Sequence, residues 1–366
     1  MKLFILISVL AASMLTLVSS CNEEIDFAGD GREIPIIYGL LNQADSIHYV
    51  KITRAFNGTN NSLEVAQIPD SSYFQNVSVV IEEFSNGVVT RTWNLNDTLL
   101  QNKEPGVFFN PEQKVYYFKT STSNPLTTAA KYRFKATFNG GEFSVSGETN
   151  LVQNLAVTSP SGNGSYPFVI LTNNSTVSYN NVSVRINPGD AKVLDARITV
   201  YFDEYFGTTP VEKSFTMKIG EANGNEISGS TITFLASGRS FYDLIKANCT
   251  NDPSITKREF SKLVLNVTGG TEDLSKYILV NKPSSTLAQN KPQFTNLFAS
   301  DGRPVIGVFS ARSTVKQSKL EWNPQPPYAR AIDLNSMKEL CVGAVTGLLL
   351  FCSDHPSDQG QSYYCN

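Results

Sequence analysis

Apolar side chains recur at every second position in many short segments of this chain. In the longest segment the alternating apolar residues are Leu194, Ala196, Ile198, Val200 and Phe202. Residues 215–219 and 263–267 repeat the pattern. Because successive side chains of a strand point to opposite faces, a period of two gathers the apolar residues on one face. This pattern predicts an all-β fold built from antiparallel sheets that expose one face to water.

Turn residues join the predicted strands into hairpins. The segment Asn139-Gly140-Gly141 separates one alternating run, which ends at Phe138, from another that starts at Phe143. Glycine adopts the positive φ angles that tight hairpin turns require. Many short strands with turns between them are typical of sandwiches and barrels. We therefore expect two antiparallel β-sandwich-like units of the immunoglobulin or transthyretin kind.

Two short helices are expected within the second unit. Ser240 is placed to cap a helix over residues 241–246, with Asp243 completing a capping box. Thr271 is placed to cap another helix that ends at Lys282, which precedes a proline. Helices of this length cover a sheet edge and do not define a fold.

Shifts in composition divide the 366 residues into segments. Residues 158–166 are rich in Pro, Gly, Ser and Asn and indicate a linker or a long loop. Residues 322–328 are typical of polyproline-like extended chain. We expect a signal peptide at residues 1–20, a lipidated tether at 21–32, an N-terminal β-sandwich domain at 33–150, a second β-rich domain at 151–330 and a Cys-rich tail at 331–366. This tail is expected to be tied by disulfides.

The N-terminus carries the features of a bacterial lipoprotein signal. Lys2 precedes an uncharged apolar run over residues 3–18, which is shorter than the roughly 20 residues that span a bilayer. The sequence Val18-Ser19-Ser20-Cys21 then matches a lipobox, in which an aliphatic residue and two small residues precede the cysteine that receives the lipid. Cys21 is therefore the predicted lipidation site and the lipid bilayer a predicted partner. The alternative is ordinary secretion with Cys21 as a plain thiol.

Acidic residues follow the predicted lipidation site. Glu23, Glu24 and Asp26 lie within five residues after Cys21. Such residues resemble the signal that exports Bacteroidetes lipoproteins to the cell surface, so the predicted location is the outer membrane with surface display. A solvated tether is the alternative, and display on the periplasmic side stays open.

Four cysteines remain once Cys21 is set aside. An even number in an exported chain indicates disulfides, so Cys249, Cys341, Cys352 and Cys365 are expected to form two bonds. Three connectivities are open. Since three of the four lie in the tail, at least one bond must lie within the tail if all four pair.

Composition and motifs argue against several functional classes. The formal net charge is -3, so no basic excess is available to neutralise a nucleic acid. With only His48 and His355 in the chain, a multi-histidine metal site is excluded. No nucleotide-binding, metalloprotease or hydrolase motif occurs. The adjacent carboxylates Glu82-Glu83 and Asp203-Glu204 point to opposite faces of their strands, so neither pair can flank one bond. We expect no catalytic residue, metal site or cofactor.

Aromatic residues and short modification motifs are the remaining candidates for surface sites. Trp93, Trp322 and Tyr328 are candidate binding aromatics, because exposed rings bind sugars and partner proteins; core packing is the alternative, above all for Trp93. Ser46 and Thr98 each follow Asp and precede an aliphatic residue, a pattern that resembles Bacteroidetes O-glycosylation sites. Chance occurrence is the alternative for a motif of three residues.

Segments near both ends of the body resemble one family. They are Ile34-Pro35-Ile36-Ile37-Tyr38-Gly39-Leu40-Leu41, Asp45-Ser46-Ile47-His48-Tyr49-Val50-Lys51-Ile52, Phe294-Thr295-Asn296 and Gly307-Val308-Phe309. In this order, and with the lipobox, they resemble an uncharacterised family of Bacteroidetes outer-membrane lipoproteins classed as a domain of unknown function. The resemblance covers most of residues 21–312. Because that family is often encoded beside TonB-dependent receptors, it implies a surface accessory role.

These observations support a non-enzymatic, membrane-anchored surface lipoprotein. Its expected role is an accessory component that binds a ligand or a receptor, with a TonB-dependent transporter as the candidate partner. One alternative is a structural or adhesive surface protein. Another is a hydrolase without a recognisable motif, which would need a deep pocket with converging carboxylates or with His355.

Overall fold

A computed structural model describes residues 33–55, 62–162, 164–172, 176–282, 293–322 and 330–365. Within these residues the chain forms nineteen strands and four α-helices. The strands are β1 Pro35–Leu41, β2 Ile47–Arg54, β3 Ser78–Ser85, β4 Val88–Asn94, β5 Asn96–Leu100, β6 Gln113–Lys119, β7 Lys131–Phe138, β8 Phe143–Asn150, β9 Ala156–Ser159, β10 Val169–Thr172, β11 Thr176–Tyr179, β12 Asn181–Asn187, β13 Val193–Phe206, β14 Thr209–Asn223, β15 Ile232–Ser237, β16 Ile255–Gly270, β17 Leu297–Ala299, β18 Ile306–Leu320 and β19 Phe351–Cys352. The helices are α1 Ser62–Ala66, α2 Gly238–Asn248, α3 Glu272–Asn281 and α4 Leu334–Val342. The predicted all-β fold with a few short helices is confirmed.

The largest sheet contains nine strands and runs through both halves of the chain. Its order is β14-β13-β16-β18-β1-β2-β6-β5, and β19 pairs with β16 beside this path. All pairs in it are antiparallel except β1 with β18 and β16 with β19. A five-stranded sheet has the order β17-β8-β7-β3-β4, and smaller sheets have the orders β15-β12-β9 and β10-β11.

The first hydrophobic core lies between the five-stranded sheet and the β1–β2–β6 part of the large sheet. Strand β1 contributes Ile37 from one side and β7 contributes Phe134 from the other, and both side chains are fully buried. Phe309 of β18 packs against Phe134 with ring centroids 5.6 Å apart. This is the face-to-face packing of a β-sandwich.

The second core lies under the long strands of the large sheet. The alternating residues of β13, from Leu194 to Phe202, are fully buried there. The three-stranded sheet covers them, together with α2 and α4. A stack of Phe168 on Phe241, with ring centroids 4.1 Å apart, seats α2 in this core. Both cores therefore form on the apolar faces that the period of two predicts.

The predicted hairpin turn is confirmed, whereas one of the two predicted helices begins earlier than expected. The Asn139-Gly140-Gly141 turn joins β7 to β8, and all three residues have positive φ angles. Thr271 occupies the N-cap position of α3, as predicted, but its side chain makes no capping hydrogen bond and lies 2.5 Å from Ser310 Oγ instead. Helix α2, however, begins at Gly238, so Ser240 is not its cap: the side chain of Ser237 accepts a hydrogen bond from the Ser240 backbone N–H. The helix starts earlier because Ser237 ends β15 in an extended conformation that suits the cap.

Strand β18 joins the two cores. Residues Ile306 to Ala311 pair in parallel with β1, and residues Arg312 to Leu320 pair in antiparallel with β16. Gly307 has a φ angle of 110°, and a Cβ atom there would lie 1.9 Å from the carbonyl oxygen of Ile37. Only a residue without a side chain permits this approach of β18 to β1.

The Asn296 side chain fastens the same junction. Its amide nitrogen donates to the carbonyl oxygen of Phe309 at 2.7 Å, and its amide oxygen accepts from the Phe309 backbone N–H at 3.0 Å. The nitrogen also donates to the Glu148 carbonyl oxygen and to the Asp273 carboxylate. The segments Phe294-Thr295-Asn296 and Gly307-Val308-Phe309 therefore meet in space and hold strands together.

A buried carboxylate stabilises the five-stranded sheet. Glu83 of β3 is 3% exposed and accepts hydrogen bonds from Arg91 Nε at 2.9 Å, Tyr132 Oη at 2.7 Å and Thr90 Oγ1 at 2.8 Å. Burial alone would raise the pKa of Glu83, but these hydrogen bonds outweigh it and hold the pKa at about 2. Adjacent Glu82 points to the other face, as the strand geometry predicts, and lies 3.7 Å from Arg133.

Among the described residues, no helix combines the length and the apolar character needed to cross a bilayer.

We expect Gly307→Ala to destabilise the fold by at least about 3 kcal/mol, because its methyl group would meet the Ile37 backbone. Gly302→Ala is the matched control: Gly302 also has a positive φ angle, but an added Cβ there has nothing within 4 Å, so only about 1 kcal/mol is expected. Urea unfolding of both variants measures the difference. Equal losses would contradict the role given to the close approach at Gly307.

Glu83 makes the stability of the fold acid-sensitive. Its folded-state pKa of about 2 lies below the ordinary 4.5, so its contribution is complete above pH 4.5 and is lost as the pH falls towards 2. That contribution amounts to roughly 3 kcal/mol. We expect Glu83→Gln to lose about 3 kcal/mol at pH 7 and to show a weaker acid dependence, whereas Glu82→Gln changes stability by about 0.5 kcal/mol. Urea unfolding between pH 2 and pH 7 tests this, and an unchanged acid dependence in Glu83→Gln would refute it.

Candidate functional site

The predicted N-terminal features lie outside the described residues. This applies to the signal peptide, to the lipidation site Cys21 and to the acidic residues after it. Both predicted O-glycosylation residues lie within the described part of the chain. Ser46 is exposed just before β2, and Thr98 is half-buried within β5. Glycosylation at these two positions stays a prediction.

The structure separates the three candidate binding aromatics. Trp93 of β4 is half-buried, with its ring 5.1 Å from that of Phe118 and with the Arg91 guanidinium 4.8 Å from its centroid. It packs against the first core, so its contacts are those of the alternative, core packing. Trp322 is 46% exposed just after β18. Tyr328 lies outside the described residues.

The tail contains one disulfide. Cys352 and Cys365 are bonded, and their Cα atoms lie 5.0 Å apart. Cys249 and Cys341, expected to form a second bond, are instead free thiols. Cys249 follows the end of α2, and Cys341 lies within α4 with its sulfur 3.7 Å from that of Met337. An even count of cysteines therefore misled the prediction, because packing in the second core occupies both remaining thiols.

No metal site follows from the one acidic and cysteine cluster found among the described residues. Glu259 lies beside Cys352 and Cys365, with ligand atoms within 4.8 Å of one another. Both sulfurs are bonded to each other, so neither is a thiolate that could hold a metal.

Both histidines pack against, or hydrogen-bond to, neighbouring residues of the fold. His48 is 2% exposed, stacks on Phe118 at 4.6 Å and lies 3.0 Å from Thr120 Oγ1. His355 caps a short 3-10 helix, where its Nδ1 accepts from the Ser357 backbone N–H at 3.1 Å. Burial lowers the pKa of both imidazoles.

The outer face of the large sheet carries a cleft, which we call the tyrosine cleft and take as the candidate site. Its volume is about 530 Å³, within the range of roughly 300–1,000 Å³ typical of ligand pockets. Strands β1, β2, β6 and β18 form its floor, and α3 forms one wall. The side chains that define it are Tyr38, Tyr49, Lys51, Gln113, Tyr277 and Arg312.

Strand periodicity places these side chains outside the core. In β1 the residues Ile37 and Leu41 point inward, whereas Tyr38 points outward. In β2 the outward residues are Tyr49 and Lys51. Gly39 has the same inward parity, and a Cβ atom there would lie 2.8 Å from the Phe309 ring in the first core. The inward residues thus fix the sandwich, and the same alternation presents rings and a cation to solvent.

A pair of tyrosines links the floor to the wall. The Tyr38 and Tyr277 hydroxyls lie 2.9 Å apart, and their rings meet edge to face with centroids 5.9 Å apart. Burial and the bond from Tyr38 raise the pKa of Tyr277 to about 12. The Tyr277 hydroxyl is therefore neutral near pH 7 and can donate and accept hydrogen bonds.

Polar groups follow the other side of the cleft. Lys51 Nζ donates to Gln113 Oε1 at 2.8 Å, and Gln113 Nε2 donates to Asn102 Oδ1 at 2.8 Å. Burial and the nearby charge of Lys103 lower the pKa of Lys51. The Arg312 side chain is exposed and makes no hydrogen bond or ion pair with any other residue in the described part of the chain.

Sequence reasoning missed this site, although it singled out the segments that contain it. Tyr38 and Tyr49 sit in the two segments that carry the family resemblance. Their outward parity in the alternation was available as a signal. The alternation does not show which residues lie beside these tyrosines, because Arg312 and Tyr277 reach the cleft from far along the chain.

Comparisons with known proteins add no family. No family model matches the chain, and no curated protein matches it. Among solved structures, the C-terminal globular domain of an oligosaccharyltransferase from Pyrococcus abyssi is similar to it at 12% identity, with a TM-score of 0.21. The similarity covers 58% of this chain, and the chain spans only 41% of the length of that protein. A similarity at this level carries no argument about function.

The two free thiols should react slowly while the protein is folded. Burial raises the pKa of Cys249 to about 11 and that of Cys341 to about 12, so few reactive thiolates exist at pH 8. We expect iodoacetamide to label both residues only after unfolding, and a non-reducing digest to contain a Cys352–Cys365 cross-link. Peptide mass spectrometry tests this. A peptide that links Cys249 to Cys341 would contradict it.

Proposed function

We propose that this chain is a non-enzymatic surface lipoprotein that binds a ligand in the tyrosine cleft, as an accessory component of a TonB-dependent transporter. The observation that carries the binding role is the cleft itself. It combines outward tyrosine rings with Lys51 and Arg312 in one concave surface. Aromatic rings with a few well-placed polar groups are typical of binding sites.

The groups in the cleft suit recognition and not bond cleavage. Its lining includes one carboxylate, Asp45, whose Oδ1 accepts a hydrogen bond from Asn42 Nδ2 at 3.0 Å. Glycoside hydrolysis needs a pair of carboxylates on either side of the bond. The cleft does offer neutral hydroxyls and amides, which hold a ligand by hydrogen bonds that leave it unchanged.

The membrane-anchored part of the proposal rests on the sequence. Cys21 lies fourteen positions before Pro35, the first residue of β1. Acylation at Cys21 would hold the body close to a bilayer, since several acyl chains give a stable anchor. The family resemblance supports the transporter as partner.

A pull-down from outer membranes in mild detergent tests the accessory role. We expect the tagged full chain to recover a transporter barrel in stoichiometric amount, as measured by mass spectrometry. The Tyr49→Ala variant should recover the same barrel, because the proposal assigns Tyr49 to the ligand. Recovery of the chain alone would refute the accessory role and favour an adhesive one.

The anchor has its own control in the same experiment. The Cys21→Ala variant should incorporate no labelled palmitate, because the acceptor thiol is missing. It should also recover no barrel if membrane attachment brings the two proteins together. Acyl labelling that persists in this variant would contradict Cys21 as the lipidation site.

A further inference from the structure

We infer that the tyrosine cleft takes an acidic oligosaccharide, with Arg312 and Lys51 as the groups that bind its anionic substituents. This inference rests on the proposed ligand-binding role of the cleft and adds the class of ligand. Four observations support it: the paired backbone of the floor, the outward rings, the charge of the lining and the free guanidinium of Arg312.

The floor offers no backbone groups to a ligand. Strand β1 is paired with β18 on one side and with β2 on the other, and β2 is also paired with β6. An extended peptide is usually bound by adding a strand to a free sheet edge. Because the cleft lies on a sheet face whose central strands have neighbours on both sides, recognition must come from side chains.

The side chains of the floor suit sugar rings. Tyr38 and Tyr49 are 37% and 41% exposed, so both present ring surface to the cleft. The Tyr49 ring lies 6.4 Å from that of Tyr117 on the paired strand, which extends the aromatic surface. An aromatic face carries negative charge, so it attracts the C–H face of a sugar ring, whose hydrogens are weakly positive. The nearby hydroxyl and amide groups then meet the hydroxyls of the sugar.

The charges of the lining favour an anion. Its basic side chains are Lys51, Arg312 and the buried His48, whose pKa burial lowers, and its single carboxylate, Asp45, is already bonded to Asn42. Arg312 has all five guanidinium donors available, since it has no partner among the described residues. Lys51 keeps two donors beyond the one that reaches Gln113. A carboxylate or sulfate group matches the planar fork of Arg312.

An oligosaccharide array of matched pairs tests the inference. Each pair holds an acidic member, either a uronic-acid or a sulfated oligosaccharide, and its methyl-esterified or desulfated neutral counterpart. The full lipidated chain is applied in a detergent without a sugar headgroup, so that the detergent does not compete. We expect acidic members to bind and their neutral counterparts to bind at least about tenfold more weakly. Binding of the acidic members should also weaken as salt is added.

Variants locate the binding. Arg312→Ala should weaken binding of the best acidic member at least about tenfold, and Arg312→Lys should restore part of it. The matched control is Lys316→Ala, which removes an exposed cation from the same strand outside the cleft. Tyr49→Ala should weaken binding, whereas Tyr49→Phe should retain most of it because the ring remains. Urea unfolding of each variant shows that the fold is kept.

The outcomes separate this inference from the proposed function. Preferential binding of neutral members would overturn the inference and leave ligand binding in the cleft standing. If no oligosaccharide binds while the transporter barrel is still recovered, the ligand class is wrong and the accessory role survives. If acidic members bind but Arg312→Ala matches Lys316→Ala, the anion lies elsewhere and the inference fails. A failed pull-down with acidic binding intact would refute only the accessory role.

Discussion

The parallel pairing of β1 with β18 is the contact on which the rest of this structure depends. It brings the first strand of the body against a strand that lies some 270 positions later, from Ile36 to Ile306. Because β18 continues as a partner of β16, the same strand closes the first sandwich and supports the second. Gly307 permits the approach and Asn296 fastens it through the backbone of Phe309. The floor of the tyrosine cleft is the outer face of this same junction.

Buried arginine–carboxylate contacts hold the peripheral segments to these sheets. Arg258 of β16 binds Glu204 at 3.0 Å and donates to the Leu349 carbonyl oxygen, which fixes the loop before β19. Arg330 binds both oxygens of Asp358 and also Glu321, and so ties the tail to the end of β18. Burial raises the pKa of Glu321 to about 7 although Arg330 opposes the shift. Burying these charges costs desolvation free energy, but the contacts hold the loops in one arrangement although the loops bury few apolar residues of their own.

Several residues show how far local reasoning reaches. The alternation in β13 and the Asn139-Gly140-Gly141 turn depend on neighbours in sequence, and both are as predicted. The cap of α2 was misplaced by three residues, because Ser237 and Ser240 are both capping residues and only the end of β15 decides between them. The cysteine count could not separate a bonded pair from two thiols packed in a core. The end of β15 is set by its pairing with β12, and the two thiols are held by packing in the second core. Both are contacts between segments that lie far apart in the sequence.

The sequence by itself determined the all-β class and the inward and outward faces of the strands. It could do so because side-chain periodicity and short motifs are local properties of the chain. Only the tertiary structure decided which strands are neighbours, and therefore that Tyr38, Tyr277 and Arg312 share one cleft. Strand pairing uses backbone hydrogen bonds, which do not depend on the identity of the side chains. The alternation of side chains therefore predicts which face of a strand a residue occupies, but not which strand lies beside it.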